Sequence, residues 1–162
     1  MDKSTIKPVH LRRIKSLALL TDEQLAAFLD FVELVPCAFS DTLFKEGQPG
    51  DSMFLILEGK MRVYIKQKSG EVFFLRILNA GDTFGEVALL NQAVRSASVE
   101  AVESSVLIKI SSATLQKIIS QQPALAAQFL YHLARSLGHQ LGDLTTKVRA
   151  QREYADIISF LQ

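Results

Sequence analysis

Cysteine is nearly absent from this chain. Cys37 is the only one in 162 residues, so no intrachain disulfide can form and a reducing cytoplasm is the expected setting. The thiol reads as a small apolar filler, because nothing local would depress its pKa. Histidine is sparse too: His10 lies near the N-terminus, and His132 and His139 lie near the C-terminus. The latter two lack the i, i+4 spacing of a two-histidine metal site, and the middle of the chain has no imidazole to offer a metal. No serine stands in a G-x-S-x-G setting, no histidine base lies beside Cys37, and no G-x-x-x-x-G-K-[ST] loop occurs. Enzymatic chemistry has no visible home here, and neither a metal nor a cofactor is expected.

Long hydrophobic runs are also missing. None approaches the roughly 18 residues of a membrane span, and the opening Met1-Asp2-Lys3-Ser4-Thr5 lacks the apolar core of a leader. A soluble cytoplasmic protein without membrane contact is expected. Neither sign of charge dominates: the formal net charge is +1, which gives no global footprint for nucleic acid. Basic residues gather at Lys3, Lys7, Arg12, Arg13 and Lys15, and again at Lys147, Arg149 and Arg152; solvated helix faces account for both.

What is present is an ordinary globular composition, 48% hydrophobic and 22% charged, which argues against disorder in a chain long enough for a real core. Three segments follow from the periodicity: an arm and helical segment over 1–35, a β region over 36–110, and helices over 111–162. In the first, the spacing predicts short helices near 10–18 and 22–33, the second opened by a Thr21–Gln24 capping box. In the second, short apolar runs are separated by turn residues about every ten positions, which predicts seven or eight strands in a barrel or sandwich. Predicted strands cover Ala38–Phe44, Met53–Leu57, Met61–Lys66, Val72–Leu78, Ala97–Val102 and Val106–Ile110. Gly47, Gly50, Gly59, Gly70 and Gly81 fall where turns often need φ > 0.

In the third segment, Ser111 or Ser112 caps a helix to about Ser120, and Pro123 opens another that runs to near Leu161. On it Leu130, Leu137, Leu144, Gln151 and Ile158 share one heptad position, and Ala127, Ala134, Leu141, Val148 and Ala155 share another. About 36 straight residues would be roughly 54 Å long, against a radius of gyration of only ~15 Å for a domain of this size. The far end is expected to outreach its own barrel and form a parallel homodimer seam, the alternative being a fold-back onto the barrel. Gly138 and Gly142 are awkward in a helix interior; close helix approach, a bend and room for a ligand are all open readings.

One stretch offers chemistry: Phe84-Gly85-Glu86-Val87-Ala88-Leu89, then Arg95-Ser96-Ala97-Ser98-Val99. It combines a glycine turn with unpaired N–H groups, one carboxylate and one guanidinium in a nearly uncharged setting. That set suits a small anion carrying hydroxyls, such as a phosphorylated sugar. The alternatives for Arg95 are an exposed charge or an ion pair with Glu86.

This stretch resembles the phosphate-binding cassette of the cyclic nucleotide-binding domain family, F-G-E-[LIV]-A-L followed by an R-[ST/A]-A-x-V run. Upstream, Glu46-Gly47, Gly50-Asp51-Ser52-Met53-Phe54-Leu55-Ile56 and Gly59-Lys60-Met61-Arg62-Val63 also match the family pattern, as does the turn Asn79-Ala80-Gly81-Asp82. The resemblance implies an antiparallel β-roll or jelly-roll barrel of about eight strands, with N-terminal helices and a long C-terminal helix. It further implies that Arg95, Ser96, Ala97 and Gly85 hold a cyclic phosphate and that Glu86 accepts from the ribose 2′-hydroxyl. Arginine suits this role because its planar fork offers parallel donors. Val63 and Leu75 align with positions lining the base side. Gln140 and Leu141 fall about where regulators related to the catabolite activator contact the purine.

The expected function is therefore a cyclic nucleotide receptor that couples ligand binding to its C-terminal helix, and through it to a dimer mate or a downstream protein. Ser96, following the arginine, favours cAMP over cGMP. Two alternatives stand beside it. One is the sensor half of a DNA-binding regulator, for which a chain ending at Gln162 is expected to leave no room for a helix-turn-helix. The other is a ligand-free dimerising scaffold, which would have no need of both Glu86 and Arg95.

Overall fold

The computed structural model describes residues 3–160. After α1 (Pro8–Leu11) and α2 (Asp22–Phe31), eight strands follow: β1 (Glu33–Cys37), β2 (Thr42–Phe44), β3 (Ser52–Glu58), β4 (Lys60–Lys66), β5 (Val72–Asn79), β6 (Thr83–Phe84), β7 (Ser98–Ala101) and β8 (Ser105–Ser111). A short α3 (Glu86–Asn91) sits between β6 and β7, and α4 (Ser112–Gln121) and α5 (Pro123–Phe160) end the chain. The strands form two four-stranded antiparallel sheets, ordered β1-β8-β3-β6 and β2-β7-β4-β5. This is the mainly β fold with flanking helices that the sequence led us to expect.

The continuous apolar run in β3 has a simple cause: both of its faces are covered. Met53, Leu55 and Leu57 join the core beneath the helices, with Leu25, Phe28, Ile108, Ile118 and Phe129. Phe54 and Ile56 point the other way, into the core between the sheets, with Met61, Val63, Phe84, Val99 and Leu107. Alternate residues of a strand thus serve two cores, and each full burial of such a side chain contributes about 1.5–3 kcal/mol.

Two local predictions are corrected. The segment expected as one helix over 10–18 is α1 followed by a 3-10 turn at Lys15–Leu17. Leu11, Ile14, Leu17 and Leu20 are all buried at a spacing of three, which a three-residue turn keeps on one side while an α-helix would rotate it away. The backbone bonds follow suit: the N–H groups of Ile14, Leu17 and Leu20 each donate to the carbonyl three residues back, at 2.9, 2.9 and 3.1 Å. Of the strand expected over Ala38–Phe44 only Thr42–Phe44 forms; the residues before it turn the chain from β1 in one sheet to β2 in the other, where Asp41 Oδ2 accepts from Ala38 N at 2.7 Å. Pro36 is tolerated in β1 because β1 is an edge strand.

The expected caps are present. Gln24 N donates to Thr21 Oγ1 at 3.2 Å, and Thr21 N donates to Gln24 Oε1 at 2.9 Å, closing the capping box of α2. Ser111 Oγ accepts from Thr114 N at 3.0 Å and starts α4. The 38 residues of α5 make a rod roughly 57 Å long at ~1.5 Å per residue. Its first turns are core: Leu125, Ala126, Phe129 and Leu133 are buried, and Leu130 and Leu137 pack against them. Further on, Leu141, Leu144 and Val148 are exposed. The heptad positions Gln151, Ala155 and Ile158 lie outside the residues whose side chains are described, and Leu161 lies outside the described residues. Among the described residues, no helix is long and apolar enough to cross a membrane.

Candidate functional site

Phe84 ends β6 and brings the chain to Gly85, whose φ of 82° lets it turn directly into α3. A side chain at Gly85 would be strained by that φ, and its Cβ would meet Arg95 Nη1 at 2.9 Å and the Ser52 carbonyl oxygen at 3.1 Å. After α3 the chain is tied down again. Arg95 N donates to the Gln48 carbonyl, and Gly47 N donates to the Arg95 carbonyl, both at 2.8 Å. Gly50 in the same turn is a glycine for closeness, since a Cβ there would lie 2.6 Å from Arg95 Nε. Its φ is not positive, contrary to the turn role expected for it.

These constraints hold the Arg95 side chain at 6% exposure. Nη1 donates to the Ser52 carbonyl at 2.6 Å and Nη2 donates to Ser52 Oγ at 3.0 Å. The guanidinium lies 4.1 Å from the centroid of the Phe44 ring and 5.6 Å from that of Phe54, a stack that stabilises a desolvated cation. Burial pushes the Arg95 guanidinium below its ordinary range, and the Asp51 charge works against that. No ion pair joins Arg95 to Glu86 among the described residues.

Glu86, the first residue of α3, is equally buried at 5% exposure. Its Oε1 accepts from Gln140 Nε2 of α5 at 3.4 Å, and its Oε2 is buried without a partner. Both residues line a cavity of about 200 Å³ whose walls include Phe44, Val63, Arg76 and Gln140. Gly85, Ser96 and Ala97 line it as well.

The structure therefore brings Arg95, Ser96, Ala97, Gly85, Glu86, Val63 and Gln140 together, and it leaves two predicted residues out. Leu75 is the extra residue of a β-bulge: Val63 pairs with Arg76 and Tyr64 with Phe74, so Leu75 has no cross-strand partner and is exposed. Arg76 takes the place beside Val63, because opposed residues of an antiparallel pair share a face. Leu141 is one step round the helix from Gln140 and is 66% exposed. Ser52, Phe44 and Arg76 were not predicted as site residues, and Gly50 was expected only as a turn glycine within a family motif. Gly50 and Ser52 lie in the quoted motif that leads into β3, which marks the segment but not their contact with Arg95; Phe44 and Arg76 have no local signal.

A cavity with a buried cation, an unpartnered carboxylate oxygen and apolar walls is chemically suited to an anion that carries a hydroxyl donor. Comparison with known proteins bears on the same point. Over 106 residues the chain is 29% identical to a CRP-like cAMP-activated global transcriptional regulator of Mycobacterium tuberculosis, covering 64% of this chain and 47% of that protein. Over 98 residues it is 40% identical to a cGMP-dependent protein kinase, isozyme 1, of Drosophila melanogaster, covering 59% of this chain and 13% of that one. It thus spans less than half the length of either relative. Among solved structures, the N-terminal domain of a transcriptional regulator from Streptomyces coelicolor A3(2) superposes with a TM-score of 0.72 at 30% identity, covering 83% of this chain and 94% of that one. Residues 38–122 match the family described as the cyclic nucleotide-binding domain. That span holds both sheets except β1 and all of the cassette, and the chain belongs to the cyclic nucleotide-binding domain family.

Proposed function

We propose that this chain is a receptor for a cyclic nucleotide, with cAMP the preferred ligand and cGMP the nearest competitor. The observation that carries this reading is the pairing of Arg95 and Glu86 on one cavity, both more than nine-tenths buried, with Glu86 Oε2 left unpartnered. A buried carboxylate oxygen without a donor is costly, by about 1–3 kcal/mol or more. A ribose 2′-hydroxyl would supply the donor while the cyclic phosphate meets Arg95, Gly85, Ser96 and Ala97. Val63 and Gln140 would then face the base side. The choice of cAMP rests on Ser96, and the names of the two relatives point in both directions.

In this reading 36–110 is the binding unit, with the cassette at 84–99, while 1–35 and 111–162 respond to it. Gln140 reaches from α5 to Oε1 of the carboxylate whose Oε2 the ribose would claim, so ligand and helix would meet on one side chain. Occupancy shifts the balance between two positions of α5 only to the extent that the ligand binds them differently. The exposed Leu141, Leu144 and Val148 would carry the signal to a second copy or to a downstream protein, in the cytoplasm and without catalysis.

The test is a thermal-shift series on the full chain. A ligand at about 100 times its Kd stabilises the folded state by ~2.7 kcal/mol. cAMP is expected to raise Tm, cGMP to do so at higher concentration and adenosine to do nothing, with the cAMP shift greatly reduced in Glu86→Ala. No shift from either cyclic nucleotide would remove this reading. A second reading, the sensing part of a DNA-binding regulator, is favoured by the CRP-like relative, of which the chain matches 47%. It would be recognised by cAMP-dependent retardation of DNA when the domain is joined to the remainder of such a protein.

A further inference from the structure

Beside the nucleotide cavity lies a larger, open cleft of about 470 Å³, bordered by the Lys15–Ser16 turn, the β5–β6 segment and one side of α5. α5 contributes His132, Arg135, Ser136, His139, Gln140 and Asp143. Their spacings of three and four put them in one stripe along the helix. The inward stripe of a helix is ordinarily apolar, and Leu125, Phe129, Leu133 and the partly buried Leu137 obey that rule. The neighbouring stripe from His132 to Asp143, on the side of β5 and β6, is polar throughout and borders the open cleft.

The charges around this space are unbalanced. Three cations, Lys15, Arg76 and Arg135, stand with two carboxylates, Asp82 and Asp143. Lys15 is paired with Asp82 at 3.0 Å. Neither Arg76 nor Arg135 makes an ion pair among the described residues; Arg135 lies 5.9 Å from the Tyr131 ring centroid. A second observation is independent of charge. Ser16, 3% exposed, also lines the cavity, and its hydroxyl is buried with no hydrogen-bond partner. A native structure seldom leaves such a group without a reason.

We propose that this cavity is a second ligand site, for a small phosphoryl dianion held by Arg135 and Arg76 with the Ser16 hydroxyl as a further donor. Guanidinium forks match phosphoryl oxygens. Donors arriving from a helix, a strand and a turn suit a tetrahedral group better than a planar carboxylate. The volume falls in the range of small-molecule pockets and leaves room for an organic body on the phosphate. The site does not depend on the nucleotide reading, although Arg76 and Gln140 border both cavities. Arg135 and Ser16 belong to this one alone, so they are the positions to change.

The experiment is calorimetry on the full chain at low ionic strength, with inorganic pyrophosphate and with glycerol 3-phosphate as probes. Amide spectra of the same samples locate the binding. Binding is expected to shift the amides of Ser16, Gly81–Thr83 and His139–Asp143. Arg135→Gln should weaken it at least tenfold, and Ser16→Ala should weaken it too. Lys117→Gln removes the same charge from an exposed position on α4 and should leave affinity unchanged. Tighter binding of glycerol 3-phosphate would identify a phosphate ester as the natural class, and tighter binding of pyrophosphate a free phosphoryl anion. Absence of heat and shifts at millimolar probe would overturn the proposal. So would equal losses in Arg135→Gln and Lys117→Gln, which would show general charge attraction only.

Discussion

Replacing Arg95 with lysine separates the two jobs that this side chain performs. The substitution keeps the charge and removes the fork. In the structure Nη1 and Nη2 each give one hydrogen bond to Ser52, at 2.6 and 3.0 Å. An arginine has five N–H donors, so three remain for a ligand. Lysine concentrates its donors on one nitrogen at the end of a flexible stem, and that nitrogen cannot hold both Ser52 acceptors and a phosphate in the present geometry. Losing one charge-assisted bond to the phosphate, at about 1.5–3 kcal/mol, should raise the Kd for cAMP roughly ten- to hundredfold. Ser52 is itself 3% exposed, so an acceptor left there without a donor costs a further ~1–3 kcal/mol of stability. That corresponds to a fall in Tm of roughly 2–12 °C for a domain of this size. Calorimetry and a thermal scan on the same samples read both quantities. If Tm falls while Kd stays within about threefold of the parent, a change below ~0.7 kcal/mol, then Arg95 is a structural prop for β3 and the cradle argument fails.

Two further outcomes test other parts of the structure. A Cβ at Gly138 or Gly142 would meet nothing within 4 Å, so Gly138→Ala and Gly142→Ala should each stabilise α5 by about 1 kcal/mol and raise Tm, with any dimer retained in light scattering. A fall in Tm with loss of dimer would show that a neighbouring helix occupies the space beside the glycines. Cys37 is buried, and desolvation, helped by the Asp41 charge, pushes its thiol above the ordinary range. A raised thiol pKa means that the folded state holds the proton more tightly. Stability is therefore complete below the ordinary thiol pKa and declines as pH rises beyond it. Iodoacetamide should label Cys37 slowly in the native protein at pH about 8, near the ordinary thiol pKa, and rapidly in urea. Fast native labelling would contradict the burial.

Much of this site was legible because its two charged residues lie in one short motif. Glu86 and Arg95 are separated by one short helix and a loop, and a glycine directly before them is easy to recognise. The strands were legible for a related reason, since alternating or continuous apolar runs report directly on which faces are covered. What could not be read was register. The bulge at Leu75 changes which β5 side chain stands beside Val63, and a bulge leaves no mark in composition or periodicity. The 3-10 spacing of Leu11, Ile14 and Leu17 was misread as α-helical because spacings of three occur in both. Ser52 and Phe44 come to Arg95 from other strands, so only the tertiary fold puts them there.

The anchoring of Arg95 on Ser52 has a consequence for how the chain folds. The two residues are 43 positions apart, and β8, the long partner of β3, follows Arg95 in sequence. At synthesis rates of about 5–20 residues per second, roughly 2–9 s pass between the appearance of Ser52 and that of Arg95. Throughout that interval β3, apolar on both faces, lacks β8 and gains at most the two-residue β6 late in it, which leaves it open to aggregation. The anion site therefore has no precursor in a partly made chain. A ligand present during synthesis or refolding cannot guide the early steps; it acts by retaining molecules that have already closed both sheets.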